Sequence, residues 1–223
     1  MTNERPFKNQ LYDQFERVGK ALASRRRLEL LDVLAQGERS VEDLGDETGM
    51  PVANASQHLQ VLRRARFVET RQEGTHVFYR IADARVFSLL QAVREVAKAR
   101  LAEVDQITRD FRENRSHFEP IRMEELFERI RTDDVVVIDV RPPVEYASGH
   151  IIGARSIPID ELEARLGEIP ADVDVVAYCR GPYCVFADEA VEKLRRHGRP
   201  ARRLNLGFPD WKAAGLPVKV EGP

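Results

Sequence analysis

The 223-residue chain has only two thiols, Cys179 and Cys184, and both lie in one segment, Cys179-Arg-Gly-Pro-Tyr-Cys184. The segment follows an apolar run, Val173–Tyr178, and leads into a helical pattern over roughly Val185–His197. A loop between a strand end and a helix start aims backbone N–H groups at the first sulfur, which lowers a thiol pKa and yields a nucleophilic thiolate. Arg180 adds a positive charge, and the backbone N–H groups of the loop that runs through Gly181, Pro182 and Tyr183, proline itself offering none, would cradle a sulfur anion or a persulfide. The bland alternative is a small residue capping a strand. Two cysteines are too few for a disulfide framework, and in a reducing compartment they are reactive rather than structural. Cys184 is either a half-buried residue at a helix start or a second thiol able to attack a persulfide or sulfenate on Cys179.

A second group of residues suits a different partner. On a helix from Pro51 to about Arg66, Ala55, Leu59 and Leu62 share one face, while Asn54, Gln57, Gln60 and Arg64 fall on the other with Val61. Amide side chains present a donor and an acceptor together, which matches base edges, and arginine suits guanine or phosphate. Arg71, His76 and Arg80 follow on two predicted strands, placed for phosphate or the minor groove. Residues 51–100 hold 9 basic and 4 acidic side chains, against a whole-chain net charge of −2. A local basic surface of this kind is the footprint of nucleic-acid binding; the bland alternative is a solvated helix beside an ordinary hairpin.

The elements that must position these residues divide the chain near residue 118. Leu11, Phe15, Val18 and Leu22 are spaced for one helix, and Leu28, Leu31 and Leu34 for a second that Gly37 stops. Ser40-Val-Glu-Asp43 reads as a capping box opening a third helix that ends at Gly49. Pro51 suits the first turn of the fourth. Strands Phe67–Gln72 and Thr75–Ile81 join at Glu73-Gly74, and one helical pattern runs from Asp83 to about Glu113. Helix–turn–helix followed by a hairpin is a winged helix-turn-helix pattern. Beyond Asn114–Pro120 come a helix over Met123–Ile130, the run Val135–Val140, a helix over Leu162–Leu166 and the run Val173–Tyr178. Continuous apolar runs alternating with helices imply a parallel α/β sheet buried on both faces.

The first part, over roughly residues 8–110, strongly resembles the ArsR family of bacterial winged-helix repressors. The resemblance rests chiefly on Ser56-Gln-His-Leu-Gln-Val-Leu62 and Glu73-Gly-Thr-His-Val-Phe-Tyr-Arg80. It implies a homodimer on palindromic operator DNA and adds Ser56 and His58 to the DNA-contacting residues. The chain departs from the family's metal sensors. Ser40-Val41-Glu42 stands where many carry Cys-Val-Cys, Asp83–Val104 contains no histidine, and His58, His76 and His117 show no ligand spacing. No metal and no cofactor is expected.

The second part, about residues 120–219, resembles the rhodanese family of sulfurtransferases. The carrying segments are Val137-Ile-Asp-Val-Arg141, Glu145-Tyr-Ala-Ser-Gly-His-Ile-Ile-Gly-Ala154, the Cys179 loop, and Gly207-Phe-Pro-Asp-Trp-Lys-Ala-Ala-Gly-Leu-Pro-Val218. By resemblance Cys179 carries sulfur, while Asp139 and Arg141 are the acidic and basic pair behind the loop, better suited to a structural ion pair than to direct chemistry. His150 and Trp211 look structural. Related phosphatases and arsenate reductases use Cys-x5-Arg, but that arginine's position here is Val185, so an oxyanion would lack its clamp.

The expectation is therefore two domains. Residues 1–118 form a mainly α winged helix-turn-helix with a β-hairpin wing that binds DNA and dimerises. Residues 119–223 form a rhodanese-like α/β domain with a parallel sheet. The function expected is transcriptional regulation, as a repressor, in response to sulfane sulfur or thiol redox state, with thiosulfate, a polysulfide or a persulfide as donor. The alternative is a sulfurtransferase that the DNA-binding module merely places or autoregulates. No apolar run reaches the ~18 residues that cross a bilayer, and the N-terminus has no signal-peptide pattern, so a cytoplasmic protein without membrane contact is expected.

Overall fold

The computed structural model describes residues 5–113 and 119–221. The junction expected near residue 118 lies outside the described residues. The chain separates into two compact units, Met1–Ala92 and Val93–Pro223.

The first unit contains α1 (Arg5–Leu22), α2 (Arg25–Leu34), β1 (Arg39–Ser40), α3 (Val41–Thr48), α4 (Val52–Arg64), β2 (Val68–Glu73) and β3 (His76–Ile81). The capping box at α3 is present: the Asp43 N–H donates to Ser40 Oγ at 3.1 Å, and the Ser40 N–H donates to the Asp43 carboxylate at 3.3 Å. Two orphan donors are thereby satisfied at once, and Gly49 closes the helix. Pro51 sits one residue before α4 rather than within its first turn, where its missing N–H is equally harmless. The three strands form an antiparallel sheet in the order β1-β3-β2, with Glu69 opposite Arg80 and Glu73 opposite His76. Leu30, Leu31 and Leu34 of α2, Leu44 of α3, and Ala55, Leu59 and Leu62 of α4 make one core with Phe67, Val68 and Tyr79.

Only the C-terminal end of α1 reaches that core, through Ala21 and the half-buried Leu22. Ala21 alone is buried on this helix, whereas Leu11, Tyr12, Phe15 and Val18 are exposed. The single helix expected beyond Asp83 is two, α5 (Ala84–Arg100) and α6 (Ala102–Glu113), parted at Leu101. Val86, Phe87 and Leu90 are buried, but Val96, Leu101, Ile107 and Phe111 are exposed, so packing does not hold the two segments as one rod.

The second unit adds α7 (Met123–Arg131), β4 (Val136–Asp139), α8 (Pro143–Ser148), β5 (His150–Ile151), β6 (Arg155–Ser156), β7 (Val175–Tyr178), α9 (Phe186–Arg196), β8 (Ala201–Arg203), α10 (Phe208–Ala213) and β9 (Val218–Lys219). A four-stranded parallel sheet runs β6-β4-β7-β8, and β5 pairs with β9 antiparallel beside it. The apolar runs follow from burial on both faces. Ile138, Val175, Ala177 and Cys179 join one cluster with Ala187, Ala190, Val191 and Leu194 of α9. Val137, Val176 and Tyr178 join another with Leu126 of α7 and with Phe208 and Trp211 of α10. The helix expected over Leu162–Leu166 is absent. The segment makes isolated turns and a single 3-10 turn, Leu166–Glu168, because Gly167 and Pro170 stop propagation after one buried anchor, Leu162. Among the described residues no helix is long and apolar enough to cross a membrane.

Candidate sulfur site and nucleic-acid interface

Parallel pairing in register brings Asp139 at the end of β4 beside Tyr178 at the end of β7, so the loop beginning at Cys179 springs from the carboxyl edge of the sheet. This is where open α/β sheets bind ligands. The Cys184 N–H donates to the Gly181 carbonyl at 3.1 Å, curling the loop back on itself before α9 starts. The loop lies directly on the start of α10: the Phe208 N–H donates to the Cys179 carbonyl at 3.1 Å. A Cβ on Gly207 would come within 2.3 Å of the Arg180 carbonyl carbon and the Gly181 nitrogen, so only glycine allows this approach.

The two thiols are near enough to influence each other's ionisation, and neither is in a disulfide; the Cys179 Sγ donates to the Gly181 carbonyl at 3.9 Å. Cys179 is buried, with 2% of its surface exposed, whereas Cys184 is half-buried. Burial and the neighbouring sulfur push the Cys179 thiol well above its ordinary range, although the amides of Gly181 and Ala187 act the other way. Cys184 is lowered to about 7, first by the neighbouring Cys179 thiol, then by the amides of Arg180 and Phe186 and the Arg180 charge, against an opposing desolvation. Burial thus works against the low-pKa thiolate expected on Cys179, while the loop amides and the Arg180 charge favour an anion at Cys184.

Behind the loop stands a buried chain of charges. Arg141 donates to Asp139 through Nε at 2.9 Å and Nη2 at 2.6 Å, and to the Gly149 carbonyl at 2.7 Å; both side chains are fully buried. Tyr178 Oη donates to Asp139 at 2.6 Å and accepts the Ile151 N–H at 3.1 Å. The Arg141 guanidinium lies 4.4 Å over the Phe208 ring. Pocketed in this way, Asp139 and Arg141 tie β4, β5 and α10 together rather than face the thiols. Arg180 does not point into the loop: its Nε donates to the buried Glu145 at 2.8 Å. Sequence reasoning missed Glu145, and its only signal was its place in the Glu145–Ala154 segment. His150 and Trp211 are buried; the imidazole stacks on Tyr146 at 3.7 Å and its Nδ1 lies 2.9 Å from the Tyr146 carbonyl. Pro182 and Tyr183 complete the rim, with Tyr183 exposed.

In the first unit, α4 shows the two faces expected of it. Ala55, Leu59 and Leu62 are buried; Asn54, Gln57, Gln60, Val61 and Arg64 are exposed, and Ser56 and His58 are half-buried. Arg64 lines a shallow cleft of about 310 Å³ with Asp13, Glu16, Arg17 and Lys20 of α1. On the wing, Arg71, His76 and Arg80 are exposed, but each has a carboxylate beside it. Arg71 binds Glu38 through Nε at 2.9 Å and Nη2 at 2.7 Å and also pairs with Glu73, Arg80 binds Glu69 at 2.9 Å, and His76 Nδ1 is 3.9 Å from Glu42. These acidic partners were not foreseen. The expected turn at Glu73-Gly74 would set Glu69 opposite Phe78; the turn lies one residue later, at Gly74-Thr75, which pairs Glu73 with His76 and Glu69 with Arg80.

A winged helix with an amide-rich exposed face, joined in one chain to a cysteine loop on a parallel sheet, defines a transcriptional regulator carrying a sulfurtransferase-type domain. The arsR family of bacterial regulatory proteins matches residues 24–70, and the rhodanese-like domain matches residues 122–214. The chain is 47% identical over 223 residues, all of this chain and 98% of the relative, to HTH-type transcriptional regulator Rv0324 of Mycobacterium tuberculosis. Over 101 residues, 44% of this chain and 92% of the relative, it is 39% identical to a sulfurtransferase of Allochromatium vinosum. A solved winged helix-turn-helix domain from Mycobacterium bovis, described as homodimeric, is 48% identical, covering 45% of this chain and 94% of that one with a TM-score of 0.42. The chain belongs to the ArsR family of winged helix-turn-helix transcriptional regulators and carries a C-terminal rhodanese-like domain.

Proposed function

We propose that the protein is a dimeric repressor whose operator binding responds to sulfane sulfur taken up as a persulfide on Cys179. Residues 1–118 serve DNA binding and dimerisation, and residues 119–223 receive the sulfur. The observation that carries this reading is the placement of two thiols in one loop at the carboxyl edge of the parallel sheet, curled back on itself by the Cys184 N–H to Gly181 carbonyl bond, with loop amides favouring the anionic form of both sulfurs. Such a loop holds anionic sulfur without needing a metal. Dimerisation is supported by the apolar side chains left exposed on α1 and α6: Phe7 is 64% exposed, Phe15 61% and Ile107 69%. Helices with such faces require a covering surface. Asn54, Gln57 and Gln60 read base edges, while Arg71, His76 and Arg80 meet the backbone.

A second reading, enzymatic sulfur transfer to a small thiol or cyanide, is favoured by the likeness of this domain to the A. vinosum sulfurtransferase. One experiment weighs both. The full chain is titrated against its own upstream DNA with and without inorganic polysulfide, and thiosulfate and polysulfide turnover is measured alongside. A regulator loses or gains operator affinity on treatment, and Cys179→Ser abolishes the response without altering binding in the untreated state. Unchanged DNA affinity together with sustained turnover makes the domain an enzyme and refutes the sensing reading.

A further inference from the structure

Cys184 does work that a rim residue of this loop does not need to do. The turn from Gly181 to Cys184 folds it back toward the start of the loop, where its sulfur influences that of Cys179, and it is the more exposed of the two. Val185 and Phe186 then carry the chain into α9.

Resting on the sulfur-carrier reading above, we propose that Cys184 is the resolving thiol of a two-cysteine cycle: it attacks the persulfidated Cys179, expels hydrosulfide and closes a Cys179–Cys184 disulfide. The steps balance. As Cys179 Sγ attacks a sulfur of an inorganic polysulfide, its proton passes to the Cys184 thiolate, the S–S bond of the donor breaks, and the shortened polysulfide leaves with the electron pair. Cys184, half-buried and with a pKa of about 7, returns that proton to solvent. Its thiolate then forms a bond to Cys179 Sγ while the bond from that Sγ to the outer sulfur breaks, and the outer sulfur departs as hydrosulfide. Two thiols are oxidised and one zero-valent sulfur is reduced to sulfide, so polysulfide is the only oxidant required. The sulfurs must close to about 2.05 Å, which pulls the far end of the loop, and with it the start of α9, toward β7.

The test treats the full chain with inorganic polysulfide without oxygen, quenches with an alkylating agent, and reads intact mass together with released sulfide. Wild type is expected to be two hydrogens lighter, unalkylated at both cysteines, with one extra equivalent of sulfide. Cys184→Ser and Cys184→Ala are expected to stop one sulfur heavier, with a capped persulfide on Cys179 and no extra sulfide. A wild-type protein that holds a stable Cys179 persulfide with Cys184 alkylated overturns the resolving role and leaves the carrier reading standing. Wild-type protein that gains no sulfur, closes no disulfide and releases no extra sulfide overturns the carrier reading itself, and the resolving role falls with it.

Discussion

Tyr178→Phe isolates one hydroxyl in the charge chain behind the loop. The ring remains, but Asp139 loses a donor at 2.6 Å and the Ile151 N–H loses its acceptor at 3.1 Å. Asp139, Ile151 and Tyr178 are all fully buried, so water does not replace either bond. A hydrogen bond to a charged group contributes about 1.5–3 kcal/mol, and stranding a buried donor costs about 1–3 kcal/mol, so the variant should lose about 4 kcal/mol. At about 2 kcal/mol per molar urea, the unfolding midpoint of the second unit falls by about 2 M. The chain's single tryptophan, Trp211, is buried in that unit, so its emission follows this transition. Tyr146→Phe is the control: its hydroxyl donates to one half-buried carbonyl, Ala154, at 2.8 Å, and its loss costs about 1 kcal/mol. Burial pushes the Tyr178 phenol above its ordinary value, so the folded state prefers the neutral form. The contribution therefore persists through neutral pH and is lost only as pH rises past about 10, where the unfolded tyrosine ionises. A midpoint shift below about 0.5 M, or one equal to that of Tyr146→Phe, would refute the claim that the hydroxyl bridges the two groups in a dry site.

Alkylation of the untreated protein should rise with pH through about 7 and label Cys184 before Cys179; labelling at Cys179 first, followed by peptide mapping, contradicts the assignment of the thiolate. Gly207→Ala forces the Arg180–Gly181 backbone away from α10, and a loss of about 1–3 kcal/mol in the Trp211 transition is expected, with altered alkylation rates at both thiols. Gln57→Ala should weaken operator binding by about 1–3 kcal/mol and leave random DNA unaffected, whereas Arg80→Ala should lower both together and flatten the salt dependence; competition titrations at several salt concentrations separate the two.

The local features of the fold were legible in the sequence because their causes are local. The Ser40–Asp43 capping box and the two faces of α4 depend on residues a few positions apart and are present, as is the hairpin, whose turn lies one residue later than expected, at Gly74-Thr75. The paired apolar runs of β4 and β7 announced a sheet covered on both sides. Features set by tertiary neighbours were not legible. Glu145 meets Arg180 across 35 residues, and the burial that raises the Cys179 thiol depends on how α9 packs over β7. The helix expected over Leu162–Leu166 fails for a local reason, the breakers Gly167 and Pro170, whereas the break at Leu101 falls where apolar side chains stay exposed, which apolar spacing alone does not reveal.

The carboxylates beside the wing cations bear on how such a regulator finds its site. With Arg71 held by Glu38 and Glu73, and Arg80 by Glu69, a phosphate must displace an existing partner before it gains one. With the wing cations on phosphate and α4 on base edges as proposed, fewer condensed counterions would be released for each wing contact, so affinity for arbitrary sequence would be held down while the proposed base contacts keep their full value. A genome presents a vast excess of irrelevant sites, and occupancy of one operator depends on the ratio of specific to general affinity rather than on tightness alone. A wing that keeps its own charge occupied shifts that ratio toward the operator and leaves more of a small protein pool free to search for it.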